Sequence, residues 1–194
     1  MRLKAANRGF SLIEVMVALA IAGILIATAV PSLTSAIAHA KLRSASSNLA
    51  GLMQSARFQA IKRNRTFILI VFARGGVPFA YAKTVDDLTA DVDHTSQEVQ
   101  LGTAAYLVGT PASPAPLADT VLGYTPLNGA TSKISFDPRG LPCLYAAGPP
   151  PTCTTSGFVY YTHDTTYSDT WSAVSVSPGG RVKQWFWDGS RWAD

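Results

Sequence analysis

Between Phe10 and Ala38 a single charge, Glu14, stands in an apolar run that otherwise suits lipid. A carboxylate in hydrocarbon costs on the order of 3 kcal/mol or more, so it marks a function and calls for a partner. The other reactive groups are scattered. His39, His94 and His163 lie far apart in the chain. Cys143 and Cys153 are the only thiols, and without a nearby His or second Cys pair they fall short of four zinc ligands. Asp86, Asp87, Asp91 and Asp93 form an acidic segment. It lacks the glycine and terminal glutamate of an EF-hand loop and reads as solvated chain. No Gly-x-Ser-x-Gly elbow, phosphate loop or His-Glu-x-x-His pattern occurs. No catalytic residue, cofactor or metal is therefore expected, and the chain does not read as an enzyme. What remains is cationic. Arg181, Lys183 and Arg191 lie near Trp185, Trp187 and Trp192, side-chain types that contact phosphates and stack on bases.

The elements that carry these residues follow from periodicity. From Ser11 to about Arg63 the only proline is Pro31 and the only glycines are Gly23 and Gly51, so the first third reads as one long helix. Some 53 residues at 1.5 Å each span roughly 80 Å. Leu12 to Val30 is close to the roughly 20 residues that cross a bilayer. Beyond Pro31, Leu42, Ala45, Leu49, Leu52, Met53, Ala56 and Ala60 recur every three or four residues. That makes a narrow stripe suited to packing on a sheet, with Lys41, Arg43, Arg57, Lys62 and Arg63 mostly off it. Lys62-Arg63-Asn64-Arg65 reads as a solvated helix end, where cations suit the exposed carbonyls.

After Arg63 the pattern turns to strands. Thr66 to Phe72 is β-branched and aromatic, and Phe79 to Lys83 is its expected hairpin partner. Further strands are predicted over 98–101, 133–136, 157–162, 171–177 and 181–187. Ser172 to Ser177 alternates, which predicts one solvated face. Pro178-Gly179-Gly180 signals the turn between the last two strands. The proline-rich stretches 110–119 and 146–155 read as loops. The formal net charge is +4, but Arg2, Lys4 and Arg8 precede the apolar run, and without those three the chain carries +1. Bulk charge is thus no argument for nucleic-acid binding, which requires a local patch. The three leading cations favour a cytoplasmic N-terminus.

Gly9-Phe10-Ser11-Leu12-Ile13-Glu14 resembles the class III signal peptide of type IV pilins and type II secretion pseudopilins. The resemblance implies that a membrane prepilin peptidase cuts between Gly9 and Phe10 and methylates the new N-terminus at Phe10. It also implies that Glu14 guides assembly and that Pro31 kinks the helix. Farther on, Ile134-Ser-Phe-Asp-Pro-Arg-Gly140 and Gly180-Arg181-Val182-Lys183 resemble the GspH/FimT family of minor pilins and minor pseudopilins. Residues between about 84 and 130 match nothing nameable. The implied fold is α+β: a long helix, membrane-spanning in its first half, packed by its second half on an antiparallel sheet domain. The corresponding boundaries are a leader over 1–9, a transmembrane and assembly segment over 10–32, an amphipathic segment over 33–64 and a β-rich domain over 65–194.

Such a protein is expected in the bacterial inner membrane as a single-pass subunit with its C-terminal domain in the periplasm, and then in the filament. Its implied partners are other pilins or pseudopilins, the peptidase, the inner-membrane assembly platform and the membrane itself. In an oxidising periplasm Cys143 and Cys153 would pair and close a short loop. Two function classes follow. One is a minor subunit helping to prime assembly near the tip. The other is DNA capture for uptake, as implied by FimT-like pilins with a late Gly-Arg-x-Arg motif. Here Arg181, Lys183 and Arg191 would serve, with Lys183 replacing an arginine and losing its bidentate fork.

Overall fold

The structure, a computed structural model, describes residues 11–75, 77–85, 98–101, 105–108, 111, 114–129, 133–146, 152–164, 167 and 170–194. The acidic segment Asp86–Asp93 and His94 lie outside them. Helix α1 runs from Leu12 to Arg63 without interruption. It ends where Asn64 turns left-handed at φ 51°. There Arg65 N–H donates to Ala60 O at 3.2 Å and Asn64 N–H to Ile61 O at 3.3 Å, a Schellman closure that satisfies the last carbonyls. Lys62 and Arg63 occupy the final turn, as the dipole favours.

The chain divides into two units, Met1–Ile37 and Ala38–Asp194. In the first, the helix is exposed nearly all round. Leu12, Ile13, Val15, Met16, Leu19, Ile24, Leu25 and Leu33 all face outward, and the helix is long and apolar enough to cross a membrane. Pro31 sits inside it and has no N–H to give to the preceding turn, while Thr34 Oγ1 donates to Pro31 O at 2.9 Å.

In the second unit the rest of α1 buries the expected stripe: Leu42, Ala45, Leu49, Met53, Ala56 and Ala60. It packs on two sheets. The first has strand order β3-β2-β1-β6-β7-β8, with β1 Phe67–Arg74, β2 Val77–Thr84, β3 Val99–Gln100, β6 Ile134–Phe136, β7 Pro142–Ala146 and β8 Thr152–Thr155. The second runs β12-β11-β10-β9-β4, with β4 Ala105–Val108, β9 Gly157–Asp164, β10 Trp171–Val176, β11 Val182–Trp187 and β12 Trp192–Ala193. All these neighbours pair antiparallel, but β5, Pro126–Asn128, joins β9 in parallel. A single turn, α2, covers Asp119–Leu122. The main core gathers Leu49, Met53, Ala56 and Ala60 of α1 with Phe67, Leu69, Phe136, Phe158, Tyr160, Val174 and Val176. Each fully buried large side chain there contributes roughly 1.5–3 kcal/mol by removal from water.

Two sequence expectations are corrected. Residues 152–155 are not loop: they form β8, whose pairing with β7 puts Tyr145 opposite Cys153. Strand β10 has no solvated face, because a second cluster of Leu117, Val159, Tyr161, Ala173 and Trp185 covers its other side. Its serines are buried because they are bonded. Thr162 Oγ1 and Ser172 Oγ lie 2.6 Å apart, and Trp185 Nε1 donates to Ser175 Oγ at 2.8 Å.

Candidate functional site

Glu14 lies in the first turn of α1, among exposed apolar side chains, where a carboxylate suits the positive end of the helix dipole. Gly9 and Phe10 lie outside the described residues.

The sequence motifs of the domain meet at one cation. After Phe136, which is fully buried at the end of β6, Asp137 organises a turn. Its Oδ1 accepts from Arg139 N–H and Leu141 N–H, each at 2.9 Å, and its Oδ2 from Arg139 Nε at 2.8 Å. Burial alone would raise the Asp137 carboxyl pKa. The hydrogen bonds from Leu141 and Arg139, with the Arg139 charge, outweigh burial and hold it below the ordinary value of 3.8. Gly140 leaves the turn at φ +78°, and Gly180 leaves the β10–β11 turn at φ +81°. The carbonyls of both point at Arg57 on α1: its Nε donates to Gly140 O at 3.0 Å and its Nη1 to Gly180 O at 2.9 Å. A Cβ at Gly180 would come within 2.9 Å of Gly140 O and 3.0 Å of the Arg57 guanidinium, so the two turns and the arginine fit only with glycine there. One guanidinium thus closes two turns 83 and 123 residues away onto the helix. Sequence reasoning placed Arg57 only among the cations lying mostly off the apolar stripe and gave it no role. The available signal was its place at the border of the buried stripe, between Ala56 and Ala60.

Of the three cations singled out for DNA, Arg181 and Lys183 both act on the Asp194 carboxylate, and Arg191 lies apart from Arg181. Arg181 precedes β11 and Arg191 follows it, so about seven residues of extended chain, on the order of 20 Å, separate them. Lys183 forms an ion pair with Asp194 and lies 4.0 Å over the Trp185 ring. Arg191 Nε reaches Asp188 Oδ2 at 3.3 Å. The Asp188 carboxyl is held low first by the backbone N–H groups of Arg191 and Ser190, and Asp194 by Lys183. The tryptophans are committed as well. Trp185 is buried, and Trp192 donates from Nε1 to Ala115 O at 2.8 Å while packing edge-on to Trp187. Cys143 and Cys153 form a disulfide, with Cα atoms 5.3 Å apart. Among the described residues no group of three His, Cys, Asp or Glu side chains converges to hold a metal.

Two family profiles match. One, described as the prokaryotic N-terminal methylation motif, covers residues 4–30; the other, described as type II transport protein GspH, covers residues 45–180. The chain belongs to the GspH family. Proteins of this family are minor pilins or pseudopilins, structural subunits that assemble with other pilins. In this GspH-family chain the matched region holds Arg57, both cysteines and both glycine turns. Two crystal structures of the type IV minor pilin FimU from Pseudomonas aeruginosa are similar to it. One is 14% identical with a TM-score of 0.46, covering 79% of this chain and 92% of that one. The second is 13% identical with a TM-score of 0.47, covering 79% and 98%. No curated protein sequence matches.

Proposed function

We propose that this GspH-family protein is a minor subunit of a type IV pilus or type II secretion pseudopilus, acting in the initiating tip complex. In this reading prepilin peptidase cuts at Gly9-Phe10 and methylates Phe10. The 10–32 segment then holds the protein in the inner membrane, with the 65–194 domain in the periplasm, until the assembly platform adds it to the filament. The observation that carries the proposal is Glu14, one carboxylate on an apolar, outward-facing helix that carries the methylation motif. Left alone in lipid, the carboxylate is costly. Beside the positive N-terminus of a neighbouring Phe10 it is paired, and the penalty for misaligning two buried charges selects one axial register. Pro31 would let the anchor bend independently of the 33–64 segment.

The test is Glu14→Gln beside Glu14→Val in cells assembling the native filament. Both variants are expected to reach the membrane with a folded domain and to lose most filament incorporation or initiation. Normal incorporation of both would remove the role of the carboxylate. DNA capture is the weaker reading, because Lys183 and Arg191 are already matched to carboxylates.

A further inference from the structure

A cleft of about 340 Å³, at the small end of the range for ligand pockets, lies between α1 and one end of the second sheet. The pairing of Ser172 with Phe186 brings the start of β10 and the end of β11 together there, and Trp171, Phe186 and Trp187 line the cleft with half-buried rings. His39 and Arg43, both exposed, line it from α1, and Asp188 and Asp194 add two carboxylates. The charges are not equivalent. Asp194 is held by Lys183, with Arg181 also acting on it, and Asp188 accepts from Ser190 N–H, Arg191 N–H and the Arg191 side chain. Arg43 lies 5.5 Å over the Phe186 ring and forms no ion pair among the described residues. Chain length fixes what the cleft can reach. Leu33 and Ile37, 62% and 45% exposed, carry the apolar surface of α1 to the end of the first unit. His39 and Arg43 follow Ile37 by two and six residues, and six residues span at most about 20 Å however the two units are arranged. The cleft therefore stays within reach of the lipid headgroups of any bilayer that holds the apolar segment. Tryptophan, with an apolar ring and one N–H, favours that layer.

We infer that this cleft holds the headgroup of a zwitterionic phospholipid of the membrane that anchors the protein. The inference rests on the membrane-anchored reading above. Charge complementarity selects the chemistry. The Arg43 guanidinium suits the phosphate, whose oxygens match its planar fork. The ammonium suits the two carboxylates and the tryptophan rings, which attract a cation. A headgroup of net negative charge would meet Asp188 and Asp194 as like charges and gain nothing from them. The rings of Trp171, Phe186 and Trp187 leave apolar surface for the glycerol and the first methylenes of the chains. A segment of a neighbouring subunit is the competing occupant, and the experiment leaves neighbours out.

The experiment places single copies of the full-length chain in phosphatidylethanolamine nanodiscs that contain a little phosphatidylcholine with a nitroxide on its headgroup, and reads the quenching of tryptophan emission. Arg43→Gln is compared with Lys41→Gln. Lys41 lies two residues from Arg43 and carries the same charge, but it does not line the cleft. Both side chains are exposed, so either exchange leaves the fold intact. Wild type and Lys41→Gln should be quenched alike, and Arg43→Gln at least ~twofold less, because the phosphate loses its charge-assisted partner. Replacing the phosphatidylethanolamine by phosphatidylglycerol removes the zwitterionic competitor of the labelled lipid. That exchange should raise the quenching of wild type and not of Arg43→Gln. Equal quenching of all three chains, a greater loss in Lys41→Gln, or no such rise in phosphatidylglycerol overturns the inference and leaves the anchored reading standing. A chain that fails to enter the nanodiscs overturns both.

Discussion

Arg57 donates to two acceptors, Gly140 O and Gly180 O, backbone carbonyls of two separate turns. Hydrogen bonds from a charged donor are worth about 1.5–3 kcal/mol each, with sharing reducing the sum. Arg57→Met is therefore expected to lower stability by about 2–4 kcal/mol, read as a fall in urea midpoint. Arg57→Lys should recover less than half, because one ammonium cannot span two carbonyls as the planar fork does. Gly180→Ala should cost about 1–3 kcal/mol through its φ of +81° and its approach to Gly140 O. At Asp137 the prediction concerns pH. Its folded pKa lies below the ordinary 3.8, so its contribution is complete above that value and is lost as pH falls through the folded value. Asp137→Asn should thus lower the urea midpoint at pH 7, and the gap to wild type should narrow as pH falls below 3.8. Asp188 and Asp194, also held low, keep part of the acid limb in both proteins. These residue roles were half legible in sequence. Asp-Pro-Arg-Gly announced a turn through its own chemistry. Arg57 did not, because its acceptors are backbone atoms far along the chain and carry no residue signature.

At the scale of elements, the helix and the long strands were readable because their signals are local: a 3.6-residue stripe over Leu42–Ala60, a β-branched run from Thr66, and a Pro-Gly-Gly turn. Strands β4, β5, β7, β8 and β12 were not, being two to five residues long and held by pairing with β6, β7, β8, β9 or β11. Strand β10 shows the second way a local signal fails. Its serine alternation is real, but Trp185 supplies the hydrogen bond that lets Ser175 be buried. Ser175→Ala should strand that indole N–H and cost about 1–3 kcal/mol in unfolding. The β7–β8 hairpin depends on its own tie. Strand β8 forms the edge of the first sheet and pairs with β7, and the disulfide links the two across a separation of 10 residues. Closing so short a loop stabilises by roughly 2–3 kcal/mol. Cys143→Ser with Cys153→Ser should lower stability by about that amount, with hydrogen exchange rising over 142–155 and little changed in β9–β11. Equal loss of protection in both sheets would show that the bridge holds the whole domain rather than one edge.

At the scale of the molecule, lipid-seeking surface and packed core fall in different units. The apolar side chains of residues 12–37 face outward, whereas those of Leu42–Ala60 are spent on the core. A fragment beginning at Lys41 retains that buried stripe and loses the outward-facing one. It is expected to be a soluble monomer rich in helix and sheet, gaining about 2 Da on reduction of its one disulfide. The same fragment decides between the two function classes. Non-specific duplex binding needs several cations free to displace counterions, and gives dissociation constants of about 10⁻⁴ to 10⁻⁶ M that rise steeply with salt. Of the three cations proposed for DNA, Lys183 and Arg191 hold carboxylates, and roughly 20 Å of strand separates Arg191 from Arg181. Without its three leading cations the chain carries only +1, so long-range attraction is small. Duplex DNA should therefore bind the fragment more weakly than about 10⁻⁴ M at physiological salt, measured by fluorescence anisotropy. Arg181→Ala with Lys183→Ala should change binding no more than Lys41→Ala with Arg43→Ala. Micromolar affinity that collapses only in the Arg181/Lys183 pair would mean that DNA breaks the Lys183–Asp194 ion pair to build a patch, and would move this subunit into the DNA-capture class.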